Sequence, residues 1–351
     1  MKIKFIKNRA TFIVALFCFQ LLGNENFDTF LWVQIQSLST KESIDRVLNF
    51  AIKNGYSDLL VQVRSRDNAA YNSVFIPKPY FISENFDPLK YIIDNSKKSK
   101  LKIHAWLNMY IIWSGKVKPL DNNHLINKNK SWRDYSFKKE EKSFSNHFLS
   151  PINPNVNPYL LKIIDEVIKN YEIDGIHLDY VRFKDKSYGN NLVGLNHFKI
   201  NLSSKNWTKF KINCVTSLIK DSFRLIKNYH IKIKLSVAVK PNILEAKNRF
   251  SQDWGNWLKT GIVDYVLPMN YYKEIDFFNR DLKLMIKRIP IPLHKNIVMG
   301  VGCYNQQAED VVDKIALIKL YKFGGVSLFS FDNHIDDLSW FNPLHKQLFI
   351  N

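Results

Sequence analysis

Eight times along the chain, a short run of β-branched and aromatic residues is followed by a longer segment whose apolar residues recur at helical spacing. The runs are FLWVQIQS (residues 30–37), DLLVQVRS (58–65), KIHAWLNMY (102–110), GIHLDYVRF (175–183), KLSVAVKP (234–241), DYVLPMNYY (264–272), NIVMGVGCY (296–304) and GVSLFSFDN (325–333). Helical spacing marks residues 41–55, 87–99, 157–171, 207–228, 254–260, 277–288, 308–321 and 337–348. Thr40 caps the first of these, Gly55 stops it, and Pro158 sits near the first turn of the third. Strict β-then-α alternation at this number closes into a (β/α)8 TIM barrel more naturally than it spreads into an open sheet. The expected fold class is α/β, one barrel domain over residues 27–351, which suits a chain of 351 residues.

In a parallel barrel the working face is the one on which the strands end. Three long excursions follow strands two, three and four, at residues 66–86, 111–157 and 184–205, and all of them belong to that face. Loops of this length in a compact domain serve as binding walls or lids.

Side chains alternate along a strand, so each run has two faces. One face is aliphatic: Val33 and Ile35, Val61 and Val63, Ile103, Ala105 and Leu107, Ile176 and Leu178, Val237 and Val239. The other carries chemistry: Gln34 and Gln36, then Gln62, Arg64 and Arg66, then His104, Trp106 and Asn108, then His177 and Asp179, then Ser236 and Lys240. Helices cover the outside of a barrel, so the aliphatic set faces them and the polar set faces the mouth. A lone buried polar residue is usually a satisfied structural one. Five successive strands with the same pattern indicate a site.

The chain has no Gly-rich phosphate cradle, no nucleophile elbow and no metal-ligand spacing of His and Cys, so no cofactor and no metal are expected. The formal net charge of +19 comes from Lys spread along the whole chain, not from a basic stripe, and no nucleic-acid motif accompanies it. Carboxylates are what remain near the strand ends: Asp179, Asp332, Asp67 and Glu274. Aromatic residues surround them, namely Trp106, Tyr110, Trp113, Tyr180, Tyr271, Tyr272 and Tyr304. Glycoside hydrolysis needs such carboxylates as acid/base and as nucleophile or water-activating base, with flat rings to stack on sugar faces.

The N-terminus reads MKIKFIKNRATFIVALFCFQLLGNEN: Lys2, Lys4, Lys7 and Arg9, then an apolar run from Ala10 to Leu22, then a polar exit at Gly23. This is the layout of a secretory signal over residues 1–23, and it is short for a membrane span. Export to the periplasm or the medium is the expectation, with an uncleaved anchor as the alternative. No span is expected in the mature chain. Only Cys214 and Cys303 lie beyond this segment, so disulfides are not the framework of the fold.

The segments LLVQVRSRDNAAYNS, DPLKYIIDNSKKSKLKIHAWLNMY, NPYLLKIIDEVIKNYEIDGIHLDYVRF, SVAVKPNILEAKNRFSQDWGNWLKTGIVDYVLPMNYY and GGVSLFSFDN occur in an order that resembles the glycosyl-hydrolase-like 10 family of bacterial (β/α)8 proteins. The resemblance covers nearly everything after the N-terminal segment. It implies an exported carbohydrate-active protein whose partner is a polysaccharide or peptidoglycan. This chain departs from the pattern at Arg66, where many relatives are acidic, and at Tyr180, where many carry a second Asp. Asp179 is thereby the only carboxylate of its strand, and Asp67, just past strand two, is the nearest substitute for the acidic residue that Arg66 replaces.

The assignment that follows makes Asp179 the principal catalytic carboxylate and Asp332 its partner. Arg64 and Arg182 orient Asp179 and hold its pKa low. His104, Asn108, His177 and Asn270 bind sugar hydroxyls. Tyr110, Trp113 and Tyr271 stack on sugar rings, and Asp67 and Lys240 complete the substrate-binding set. Two rival readings stay open: a barrel that binds glycan without cleaving it, and, with less support, a metal-dependent hydrolase built on His177, Asp179 and His104.

Overall fold

The computed structural model describes residues 27–115, 117–122, 124–138, 146–199 and 204–349. The signal-like segment 1–23 lies outside the described residues. Eight parallel strands form the centre: β1 (Asp28–Val33), β2 (Asp58–Ser65), β3 (Lys102–Asn108), β4 (Gly175–Asp179), β5 (Lys234–Val239), β6 (Tyr265–Pro268), β7 (Val298–Gly302) and β8 (Gly325–Phe329). Each is hydrogen-bonded to the next from β1 through β6, and β7 pairs with β8, which pairs with β1. Between β6 and β7 only the parallel bridges Val266–Ile297 and Met269–Gly300 close the ring. The sheet is thus a nearly closed barrel.

The outer layer is α1 (Lys41–Lys53), α2 (Pro88–Ser96), α3 (Val156–Asn170), α4 (Ser204–Tyr229), α5 (Trp254–Lys259), α6 (Ile275–Arg288), α7 (Ala308–Leu320) and α8 (Asn342–Phe349). All eight expected helices are present. Thr40 accepts from the Ser43 amide and Ser43 answers it, so the cap read from sequence is a reciprocal capping box. Alternation also holds: Leu31, Val33, Val61, Val63, Ile103, Ala105, Leu107, Ile176, Leu178, Val237 and Val239 belong to one buried layer with the helices. Phe30, Trp32, Leu60, Trp106, Ala238, Leu267 and Val298 form a second cluster inside the ring.

Strand ends differ from the sequence reading. Apart from β2, which matches, every run was expected to extend past the point where pairing stops. Residues 35–38 form a 3-10 turn instead of the end of β1, and β4 stops at Asp179 because Tyr180 takes a left-handed φ of 55°. Alternation outlives the ladder here, since extended residues that leave the sheet keep the period of two. Two further departures shape the working face. A short hairpin pairs Ile111–Trp113 with His147–Phe148, and an additional helix, Ile243–Phe250, follows β5.

The barrel bottom explains Gly175. His104 fills the lumen there, with Nε2 2.8 Å from Asp58 Oδ1 and its ring edge-on to Phe30. A Cβ on residue 175 would stand 2.1 Å from His104 Nδ1. Because His104 is pinned on two sides, Gly175→Ala should cost about 1–3 kcal/mol of stability by overpacking. Urea unfolding measures it, and an unchanged midpoint would contradict the packing argument.

Candidate active site

Asp179 is the last residue of β4 and is 5% exposed. Its register partner on β3 is Asn108, so the two side chains stand next to each other at the rim of the lumen. The left-handed turn at Tyr180 brings that residue's amide back onto Asp179 Oδ1 at 2.6 Å. The Asp179 carbonyl accepts from Met109 N at 2.8 Å, which ties β4 to the end of β3. Arg182, nearly buried, lays its guanidinium over the Tyr180 ring at 4.4 Å.

Burial raises the Asp179 pKa above the usual carboxylate value. Arg182, the Tyr180 amide, Lys240 and the Trp106 indole pull it down, and desolvation outweighs all of them. This corrects the expectation of a low pKa. Arg64 is not among the main contributors to that balance and is engaged elsewhere: fully buried, it donates to the carbonyls of Asn108 and of Met109 (3.1 Å) and pairs with Asp67 at 3.5 Å. Asp67 in turn accepts from Leu125 N at 2.9 Å. Arg64 and Asp67 therefore weld the loops after β2 and β3 together.

The walls of the mouth are aromatic. The ring of Tyr271 stacks on Phe329 at 5.3 Å, and Tyr304, half exposed, stands edge-on to both. Beneath them Trp32 meets Trp106 at 4.6 Å, His177 at 4.5 Å and Phe329 at 5.7 Å. Among the buried polar atoms without a partner in the described residues, five lie in this region: Asn108 Oδ1, His177 Nε2, Tyr271 OH, Arg182 Nε and Trp32 Nε1. Such atoms are costly unless something occupies them, and sugar hydroxyls and water offer what they need.

Several expected site residues stand elsewhere. His104 lies at the bottom with Asp58, because the third residue of a barrel strand cannot reach the mouth. Tyr110 is fully buried, its hydroxyl on Asn157 Oδ1 at 2.8 Å, and has no face free for a sugar; the chain has already turned into the hairpin. Asn270 donates to the Phe278 carbonyl at 3.0 Å and so secures α6. His177 sits one layer below Asp179 with Nδ1 2.8 Å from Ser236 Oγ, and burial holds it neutral by pushing its pKa well down. Asp332 accepts from Gln34 N at 2.8 Å and Ser37 Oγ at 2.6 Å, which makes it a clamp between the ends of β1 and β8. Trp113 lies in the hairpin beside Arg66, its indole N–H on the Val117 carbonyl at 2.9 Å.

The structure thus gathers Asp179, Asn108, Arg182, Lys240 and Tyr271 around one mouth, with His177 under it. Phe329 and Trp32 were not singled out from sequence, although the same alternation that marked His177 places both inside the ring. Among the described residues no three His, Cys, Asp or Glu side chains come together as a metal site, and no helix is long and apolar enough to cross a membrane.

Comparison with known proteins agrees with this architecture. The Bordetella bronchiseptica PgaB (BpsB) glycoside hydrolase domain superimposes with a TM-score of 0.73 over 93% of this chain and 99% of that one, at 11% identity. The catalytic domain of a Paenibacillus polymyxa β-amylase gives 0.59 over 91% and 97%, at 10% identity. At these identities the likeness is one of fold. In sequence, the chain is 24% identical over 274 residues to the glycosyl hydrolase YngK of Bacillus subtilis, covering 69% of this chain and 51% of that protein. It is 24% identical over 248 residues to the glycosyl hydrolase DigH of Escherichia coli K12, covering 62% and 55%. The chain thus matches about half the length of these relatives. The family model described as glycosyl hydrolase-like 10 matches residues 24–314, and the chain belongs to that family.

Proposed function

We propose that this protein is an exported glycoside hydrolase that cleaves a polysaccharide or cell-wall glycan, with Asp179 as its proton donor. The observation that carries the reading is a desolvated carboxyl with a raised pKa at the end of a barrel strand, inside an aromatic mouth. A carboxyl whose pKa is raised by burial holds its proton to higher pH than a solvated one and is suited to give it to a leaving glycosidic oxygen as positive charge develops on the sugar. Asn108 and Tyr271 offer hydrogen bonds to the hydroxyls of that sugar. The names of YngK, DigH and the PgaB domain are consistent with this chemistry.

The test is incubation with a polysaccharide panel that includes peptidoglycan, followed by product analysis. New reducing ends are expected, at a rate that falls as pH rises through the Asp179 pKa, since the protonated form is the active one. Binding without any cleavage would leave a glycan-binding barrel instead. Export is tested separately by mass spectrometry in the source organism, where an intact Met1 on cytoplasmic protein would end that part of the proposal.

Tyr304 provides a milder check. It is half exposed and, among the described residues, is held by edge-on ring contacts with Tyr271 and Phe329 and by no side-chain hydrogen bond, so Tyr304→Ala should lower the unfolding midpoint only slightly. Loss of one stacking surface, about 0.5–1.5 kcal/mol, should raise KM a few-fold. An unchanged KM would remove Tyr304 from the substrate wall.

A further inference from the structure

Two cations share the edge of the mouth with a single carboxyl. Arg182 is 8% exposed, is fixed in direction by the Tyr180 ring, and keeps its Nε buried without a partner. Lys240 follows the end of β5, where its backbone is locked from both sides: its amide donates to Gln252 Oε1 at 2.8 Å and its carbonyl accepts from Trp254 Nε1 at 3.1 Å. Its ammonium lies 5.1 Å above the Phe250 ring. Asp179 acts on both cations, yet among the described residues neither forms an ion pair with a carboxylate. Burial, together with repulsion from Arg182, pushes the Lys240 pKa down to about 8. Gln252 joins the two segments, its amide nitrogen donating to the Val181 carbonyl at 3.3 Å while its oxygen holds the Lys240 amide, and two partly desolvated like charges on joined segments cost stability unless a counter-charge arrives.

The surroundings extend the same character. Glu245 and Arg249, whose charges act on Lys240, line a groove of about 780 Å³ between the loops after β3 and β4 and the helix Ile243–Phe250. Arg249 bonds both acidic neighbours, Asp185 at 2.7 Å and Glu245 at 2.8 Å, and its single charge offsets one of the two. Lys186 and the half-exposed Phe137 face the groove as well. The groove lining sets Lys138, Lys186 and Arg249 against Asp185 and Glu245, a small cationic excess beside the aromatic ring of Phe137.

The geometry points to an anion subsite formed by Arg182 and Lys240, so that the glycan cleaved at Asp179 bears an acidic substituent, a carboxylate or a phosphate, on the sugar that lies towards the Ile243–Phe250 helix. This rests on the glycosidase reading above and specifies its substrate class. A guanidinium matches either oxyanion with two parallel hydrogen bonds, and the ammonium adds a point charge. The anion completes the charge balance that the protein alone leaves open, and draws the Lys240 pKa back up.

The experiment measures binding, so that it does not depend on turnover. Asp179→Asn protein is titrated with polyuronates and peptidoglycan, each native and with its carboxyl groups reduced to alcohols, and with a phosphate-bearing glycan before and after dephosphorylation. One native acidic glycan should bind about 10- to 100-fold tighter than its neutralised form, the range of a charge-assisted contact. Arg182→Met or Lys240→Met should abolish that preference, bringing the native form's affinity down to that of its neutralised form. Lys240 is only half-buried, so its variant is informative even where Arg182→Met folds poorly. Equal binding of native and neutralised glycans, or a preference that survives both substitutions, overturns the anion subsite while the glycosidase reading stands. Failure of every glycan to bind removes that reading, and the subsite with it.

Discussion

Asp179→Asn should lower turnover by at least ~10²-fold, the lower end of what a positioned proton donor contributes, and should at the same time make the protein more resistant to heat at neutral pH. The two effects have one cause. Burial raises the folded-state pKa of Asp179 above its value in the unfolded chain, so the folded protein holds this proton more tightly. Stability from this group is complete below the unfolded pKa and is lost as pH rises through the folded one. At neutral pH the buried charge is therefore a liability, and the isosteric amide removes it. Activity against a cleaved glycan and thermal unfolding at neutral and acidic pH are the two measurements. A variant that unfolds at markedly lower temperature while keeping full activity per folded molecule would make Asp179 a structural residue.

Arg64→Met is expected to have the largest effect on stability. The guanidinium is fully buried, joins the carbonyls of Asn108 and Met109 to β2, and is the ion-pair partner of Asp67. Its removal strands a buried carboxylate and two carbonyls, for which about 3–5 kcal/mol is the usual cost. Neutralising the stranded carboxylate should recover part of the loss. Arg64→Met combined with Asp67→Asn is thus expected to be less damaged than the sum of the two single variants, as residues in contact are. Additive losses would show that the two residues act independently. Because Met109 N holds the Asp179 carbonyl, Arg64→Met should also reduce turnover per folded molecule.

Eight strands and eight helices were legible because each depends on local periodicity, and the inward faces of the first five strands were read by the same rule. Distances along the barrel axis were not legible in this way. His104 and Asn108 share a face of β3, but four residues separate a place at the bottom beside Asp58 from one beside Asp179. Strand ends went unread for a related reason: only pairing distinguishes Asp179 from Val181, and pairing depends on residues far away in sequence. Asp332 and Arg64 show a third difficulty. A carboxylate and an arginine at strand ends suggest chemistry, and which of them is spent on holding backbone depends on loops whose conformation no periodicity encodes. Tyr180 is the most informative case, since no periodicity marks the left-handed turn whose amide holds Asp179.

The seam between β6 and β7 has a consequence for how the barrel yields. Elsewhere around the ring, continuous ladders must break together before two strands can part. At the seam the isolated bridges Val266–Ile297 and Met269–Gly300 stand in place of a ladder. Local opening is cheapest where the fewest backbone bonds resist it, so the circumference widens there first. Tyr271 follows β6 on one lip, and Gly302, whose missing Cβ leaves room for that ring, closes β7 on the other. Breathing at this joint would shift one wall of the mouth while the opposite wall, built on the β3–β4 ladder beside Asp179, stays still. The barrel is in this sense a clasp, with its hinge side on the strand that carries Asp179 and its latch at the ring of Tyr271.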